Sequence, residues 1–165
     1  MIAPRKRSID EIIERYHSKS LPLLEPIFSE KQGVLFERGV VEFNQTLFYD
    51  AHESWEHCWR AMRNDVTDDS EIIVRGLVQL AAGFHCIQQQ RKKDAKRNFQ
   101  KALPKIDLAP VRLFNLDFHS LQSFLHSKEF ETSHLFQEIN FQEISFPKLL
   151  LLDKNDGARN HSNGA

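Results

Sequence analysis

The sequence predicts an all-α protein, a compact bundle of about five helices around one buried central helix, with a short extended C-terminal segment. Apolar residues recur at helical spacing along most of the chain. Residues 72–87 are apolar nearly all round, which marks a helix buried on most of its sides. Thirteen phenylalanines, spread from Phe28 to Phe146, supply much of one core. A chain of 165 residues fits a single domain of this kind, read here as 1–152 followed by a polar tail.

The elements follow in order. Ile9, Ile12, Ile13 and Tyr16 stand at helical spacing behind Ser8, a suitable N-cap, and give a short amphipathic helix that Pro22 and Pro26 end. A long second helix is expected over 34–62, with Phe36, Val40, Phe43, Leu47, Ala51, Cys58 and Met62 on one side. Asp65 to Ser70 is a polar connection, and Asp69 or Ser70 can cap the next helix. That third helix, 71–90, carries the apolar circumference. Gly76 and Gly83 cost it about 1 kcal/mol each relative to Ala. They lie seven apart on one face, where missing side chains let a neighbour approach. Ala95, Phe99, Ala102, Leu103 and Ile106 mark a fourth helix, disturbed or ended by Pro104. Asp117 caps a fifth with Phe118, Leu121, Phe124 and Leu125. Residues 144–152 read as extended chain over the bundle, and the Gly- and Asn-rich 153–165 as a disordered tail.

Chemistry concentrates in Ala51-His52-Glu53-Ser54-Trp55-Glu56-His57-Cys58-Trp59-Arg60, where two histidines, two glutamates and two tryptophans fall within about three helical turns. His52 and Glu56 stand four apart, as do Glu53 and His57, so each pair shares a helix face. On a helical wheel Phe48, Ala51, Trp55, Cys58, Trp59 and Met62 form the inner arc. His52 and Glu56 border it, at the seam between core and solvent, with Tyr49, Glu53 and Arg60 further round. His52, Glu56 and Gln79 are expected to be largely buried, and Trp55 and Trp59 to share one core. A metal reading takes His52 and Glu56 with His85 from the following helix, a mixed nitrogen and oxygen set suited to zinc, manganese or iron. The other reading is a metal-free network that fixes helix register, or exposed pairs contributing roughly 0.2–0.5 kcal/mol each. Gln79 and His85 interrupt an apolar helix and need hydrogen-bond partners. They lie about 120° apart and so do not share one pocket.

Several enzyme classes are excluded by spacing. A zinc protease helix needs H-E-x-x-H, and here His57 comes one residue late. A di-iron bundle needs Glu-x-x-His pairs, and neither glutamate of the motif has a histidine three residues on. Phosphate loops, G-x-G-x-x-G and G-x-S-x-G are absent, and Cys58 and Cys86 form no C-x-x-C. Two buried thiols are expected in preference to the one possible disulfide.

At the same residues the chain resembles the domain of unknown function 309 family. Phe43-Asn44, Tyr49, Ala51-His52-Glu53, Glu56 and Trp59-Arg60 look like its signature helix. Gly76-Leu77-Val78-Gln79-Leu80-Ala81-Ala82 with His85 look like its second, and Ala95, Phe99 and Ala102-Leu103 are similar to its third. Phe146-Pro147-Lys148 resembles its C-terminal proline-containing segment. The resemblance is closest over 36–103. Cys86 departs from it where a second histidine often follows the first, and Asp94 where glycine is usual. The resemblance implies a small helical fold and a shared polar cluster of Tyr49, His52, Glu53, Glu56, Trp59, Arg60, Gln79 and His85, not a chemistry.

Partners are bounded by charge. The net charge of -1 makes the whole molecule no trap for nucleic acid or membrane. Arg91, Lys92, Lys93, Lys96, Arg97, Lys101 and Lys105 form a basic face on the helix 91–105, a possible anion or nucleic-acid surface. A solvated face explains it as well, and it lacks the aromatic interleaving of a single-strand binder. No stretch approaches the roughly 18 apolar residues of a membrane span, and the basic 1–8 has no apolar run behind it, so it does not read as a secretory signal. A cytoplasmic protein is expected; the sequence does not identify a partner, and a small molecule or another protein would fit. The seam reads as a structural or small-ligand-binding site. A metal-dependent, hydrolase-like enzyme using His52, Glu56 and His85 stays as the alternative.

Overall fold

Ser8 opens the first helix through a capping box. Its hydroxyl accepts the Glu11 N–H at 3.2 Å, and the Glu11 carboxylate accepts the Ser8 N–H at 2.7 Å. The computed structural model describes residues 8–19, 28–63, 69, 71–109, 112–113 and 116–126. Its elements are α1 (Ile9–Lys19), α2 (Glu30–Asn44), α3 (Phe48–Met62), α4 (Glu71–Gln88), α5 (Lys92–Ile106), the two-residue strands β1 (Arg112–Leu113) and β2 (Leu116–Asp117), and α6 (Phe118–Leu125). The strands pair antiparallel, Arg112 opposite Asp117 and Leu113 opposite Leu116. The Asp117 carboxylate then accepts the Ser120 N–H and caps α6, as the sequence indicates.

The fold is an all-α bundle in which α2 packs on α3, α3 on α4 and α4 on α5. The central position of α4 follows from its composition: Ile72, Ile73, Val74, Leu77, Leu80, Ala81, Phe84 and Ile87 are all buried. The two glycines act as expected. A Cβ at Gly83 would lie 2.8 Å from the Phe99 ring, and one at Gly76 2.9 Å from the Lys105 Cβ, so both admit α5. A third glycine has the same role. A Cβ at Gly39 would overlap the Trp55 indole, and only its absence lets that ring lie against α2. Trp55 Nε1 donates to the Phe36 carbonyl at 3.0 Å. From there Phe36, Trp55, Phe43, Phe48, Phe84 and Phe99 touch ring to ring across four helices, with centroids 5.0–6.4 Å apart.

Two expectations need correction. The single helix over 34–62 is two helices, joined by a turn at 45–47. The first begins at Glu30, because Ser29 and Gln32 form a second capping box. It ends because the Thr46 N–H bonds to the Phe43 carbonyl and the Leu47 N–H to the Glu42 carbonyl, both at 2.9 Å. That is a Schellman closure with Thr46 at φ 61°. Threonine is a poor residue for left-handed backbone, so composition did not announce a stop here. A matching closure ends α4, with Gln90 at φ 58° and the Arg91 N–H on the Cys86 carbonyl at 2.8 Å. The two turns meet where Gln88 Nε2 donates to the Thr46 carbonyl at 2.9 Å.

Pro104 does not end its helix, which continues to Ile106. Pro104 and Gln100 are both on the exposed side, where water can serve the carbonyl that loses its helical partner. Cys58 and Cys86 are both free thiols. The breaks at Pro22 and Pro26, most of the connection 64–70, the extended segment 144–152 with Phe146-Pro147-Lys148, and the tail 153–165 lie outside the described residues.

Two stability measurements check this packing. Gly83→Leu drives a side chain into Phe99 and should destabilise the protein by about 1–3 kcal/mol in urea unfolding. An unchanged midpoint would show that α4 and α5 are not in close contact there. Thr46→Gly removes the penalty of a β-branched residue in left-handed backbone and should raise stability by about 1 kcal/mol. A fall in melting temperature would mean that the threonine side chain contributes more than its backbone strain costs.

Candidate functional site

Seating Trp55 against Gly39 fixes how α3 is turned. With Phe48, Ala51, Trp55, Cys58 and Met62 inward, the positions His52, Glu56, Trp59 and Arg63 run in a line along the seam with α4. His52 and Glu56 are half-buried, each with 25% of its side chain exposed. His52 Nδ1 is itself buried and makes no hydrogen bond among the described residues. It lies 3.3 Å from Glu53 Oε1. Glu56 accepts from Arg60 Nη2 at 2.8 Å, so the sequence's His52–Glu56 pair is replaced by two others, His52–Glu53 and Glu56–Arg60. His57 is exposed. Even so, His52, Glu53 and Glu56 each offer a ligand atom within 4.8 Å of the others.

Beside this triad a cavity of about 180 Å³ is lined by Tyr49, His52, Ala82, His85, Cys86 and Arg91. The Tyr49 ring stands between the histidines, 6.4 Å from His52 and 5.4 Å from His85. His85 therefore shares a pocket with His52 but is outside the converging ligand set. The Cys86 thiol, pushed up mainly by burial, stays protonated. Arg91 was legible only as a member of a basic run. The Schellman turn after α4 brings it back to the cavity, where it pairs with Asp94 at 2.8 Å.

The remaining candidates go elsewhere. Trp59 is only partly buried. It belongs to a second cavity further along the same seam, with Arg63 and Arg75 over its ring. Trp59 nonetheless packs against the same core that holds Trp55, at the edge where α4 presents Arg75. The basic face is also less uniform than its sequence. Arg91 and Arg97 both face Asp94, and Lys105 is turned inward. Serine was overlooked: Ser54 is buried and donates to Glu42 Oε2 at 2.7 Å, tying α3 to α2.

With the geometry in view, residues 36–98 match the family model described as domain of unknown function (DUF309), the family that the two helix motifs resemble. The match takes in all of α3 and α4 and so every residue of the triad and of the smaller cavity. No curated protein and no solved structure matches the chain. No helix among the described residues is long and apolar enough to cross a membrane.

Gln79, the polar residue of the second motif, is not at the triad. It is half-buried rather than largely so, and its Oε1 accepts from Lys105 Nζ at 2.8 Å, while Lys105 also donates to the Lys101 carbonyl. Burial, and then the nearby charges of Arg75 and Lys101, lower the Lys105 ammonium from its ordinary 10.5 to about 8. Between those values the unfolded chain holds a proton that the folded chain has released, so this group adds stability as pH rises from about 8 to 10.5. Urea unfolding of wild type and Lys105→Met across that window should show the difference widening in favour of wild type. A constant difference would mean that the ammonium is equally solvated folded and unfolded.

Proposed function

We propose that the α3–α4 seam is a small-ligand-binding site organised by a divalent transition-metal ion on His52, Glu53 and Glu56. One observation carries the reading: ligand atoms of His52, Glu53 and Glu56 lie within 4.8 Å of one another, with His52 Nδ1 buried and 3.3 Å from Glu53 Oε1. The 3.3 Å contact with Glu53 is the only one Nδ1 makes with a carboxylate among the described residues, and an ion between the two would satisfy both. Ligands about 2.0–2.2 Å from one ion stand about 3–4 Å apart, a modest adjustment for three side chains on one helix. One nitrogen and two oxygens suit zinc, manganese or iron and leave positions for an exogenous ligand. The adjacent cavity, with Tyr49, His85 and Arg91 on its wall, has the place and the polar groups to receive one.

The Glu56–Arg60 pair favours a second reading, in which the cluster is a metal-free device for helix register. Thermal unfolding of protein purified without an affinity tag separates the two. Zinc or manganese at about 100 times its dissociation constant should stabilise wild type by about 2.7 kcal/mol, and His52→Ala and Glu53→Gln should abolish the response. Equal responses in wild type and His52→Ala, or none in either, overturn the metal reading. Loss of stability in His52→Ala with no metal effect in wild type supports the register device.

A further inference from the structure

Away from the seam, α5 carries a strongly charged surface that no function assigned above uses. The close approach of α5 to α4 at Gly76 and Gly83 buries Ala95, Phe99, Ala102 and Ile106, and so settles which side of α5 faces outward. On that side Lys93, Arg97 and Lys101 follow one another at four-residue spacing, with Lys92 and Lys96 beside them. Lys93 and Lys101 are exposed and Lys96 is half-buried, and none of the three has a carboxylate partner among the described residues. Asp94, the only acid between 91 and 106, is bonded by Arg91 and stands 3.9 Å from Arg97. Cations four apart repel one another and weaken a helix, whereas α3 sets Glu56 against Arg60 at the same spacing. The crowding reaches the interior, where Lys101 helps to suppress the buried Lys105 ammonium.

We propose that this outer face of α5 binds the phosphate backbone of a duplex nucleic acid, through Lys93, Lys96 and Lys101 and without reading bases. Residues 92–101 span about 13 Å at about 1.5 Å per residue, the length of about four phosphates of one strand. A linear polyanion fits such a row. A single small anion meets only a convex surface, since none of these lysines lines either cavity. The face carries no aromatic ring on which an unpaired base could stack, which favours a duplex over a single strand. Ala95, Phe99, Ala102 and Ile106 turn inward and cannot enter a bilayer, which favours nucleic acid over an anionic membrane. The net charge of -1 does not oppose binding, because screening limits the reach of each charge to about 8–10 Å at ordinary salt.

Fluorescence anisotropy of short labelled duplexes, one of DNA and one of RNA, titrated with the full chain tests the assignment. Both should bind, within about tenfold of each other, because the ligand is the backbone that they share. For DNA the logarithm of the association constant should fall with that of salt concentration at a slope of about −3, one phosphate per lysine. Lys93→Gln combined with Lys101→Gln should flatten the slope to about −1, at an unchanged or higher melting temperature. Arg38→Gln, on the exposed side of α2, should change neither. No binding at about 100 µM protein and about 50 mM salt overturns the proposal. So does a slope that the lysine variant leaves unchanged or that Arg38→Gln flattens equally. A preference beyond about tenfold for either duplex means that a groove or a 2′-hydroxyl is read, and overturns the backbone assignment. Tighter binding of a single strand, or equal binding of phosphatidylserine vesicles, overturns it too. Glu129, Glu131, Glu138 and Glu143 follow α6 in the chain. If a duplex binds only the variant Glu129→Gln, Glu131→Gln, Glu138→Gln, Glu143→Gln, the lysines serve the chain's own carboxylates, and the proposal falls.

Discussion

The contact on which the rest depends is the Trp55 indole lying on Gly39. An indole can approach a helix backbone this closely only where a Cβ is missing, and its N–H reaches the Phe36 carbonyl because of that approach. The pair locks α2 and α3 at one distance and fixes the rotation of α3 about its own axis. Rotation is what matters for function. A turn of about 100°, one residue, would carry His52 and Glu56 away from the seam. Burying a ring of this size contributes more than the exposed and half-exposed ion pairs along α3, so the polar face takes the orientation that Trp55 leaves to it.

On the other side of the seam α4 supplies almost no polar groups. Its Gly76 and Gly83 bring α5 close, and Gln79 is drawn to that side by Lys105. The one polar side chain of mid-α4 is therefore spent on stabilising a buried ammonium. His85, a turn and a half on, meets a tyrosine ring. The α3 line must find its partners on its own helix, which is why Glu53 and Arg60 take the roles that a facing helix would fill.

What was legible in the sequence divides along physical lines. Long-range periodicity is strong, so the all-α class, the buried α4 and the small-residue face at Gly76 and Gly83 could be read directly. Caps were readable where Ser8 and Asp117 carry side chains that bond to backbone. The corner at Thr46 was not, because a Schellman closure is made of backbone bonds and here lacks the glycine that normally marks it. The convergence of His52, Glu53 and Glu56 was half legible. Spacing placed all three on one helix near the seam, but which of them pair depends on side-chain reach and on Arg60. The return of Arg91 to the cavity and the stacking of Arg63 and Arg75 on Trp59 depend on tertiary geometry that no local pattern encodes.

The two cavities become one problem when the seam is followed along α3. His52 and Trp59 stand seven residues apart and so lie on the same line of the helix, and each buries a ring nitrogen that forms no hydrogen bond among the described residues. For the Trp59 nitrogen that costs about 1–3 kcal/mol, a considerable fraction of the roughly 5–15 kcal/mol that separates folded from unfolded protein, whereas the His52 nitrogen keeps its 3.3 Å contact with Glu53. α4 presents mainly apolar side chains to this line, and its Glu71, Arg75, Gln79 and His85 bond to neither nitrogen. The residues that carry them line the two cavities, His52 the one with His85 and Arg91, Trp59 the one with Arg63 and Arg75. Their environments differ in sign, carboxylates converging on the first and guanidiniums covering the second. A single helix edge thus has an acidic end and a basic end, and the same rotation of α3, set by Trp55 on Gly39, orients both.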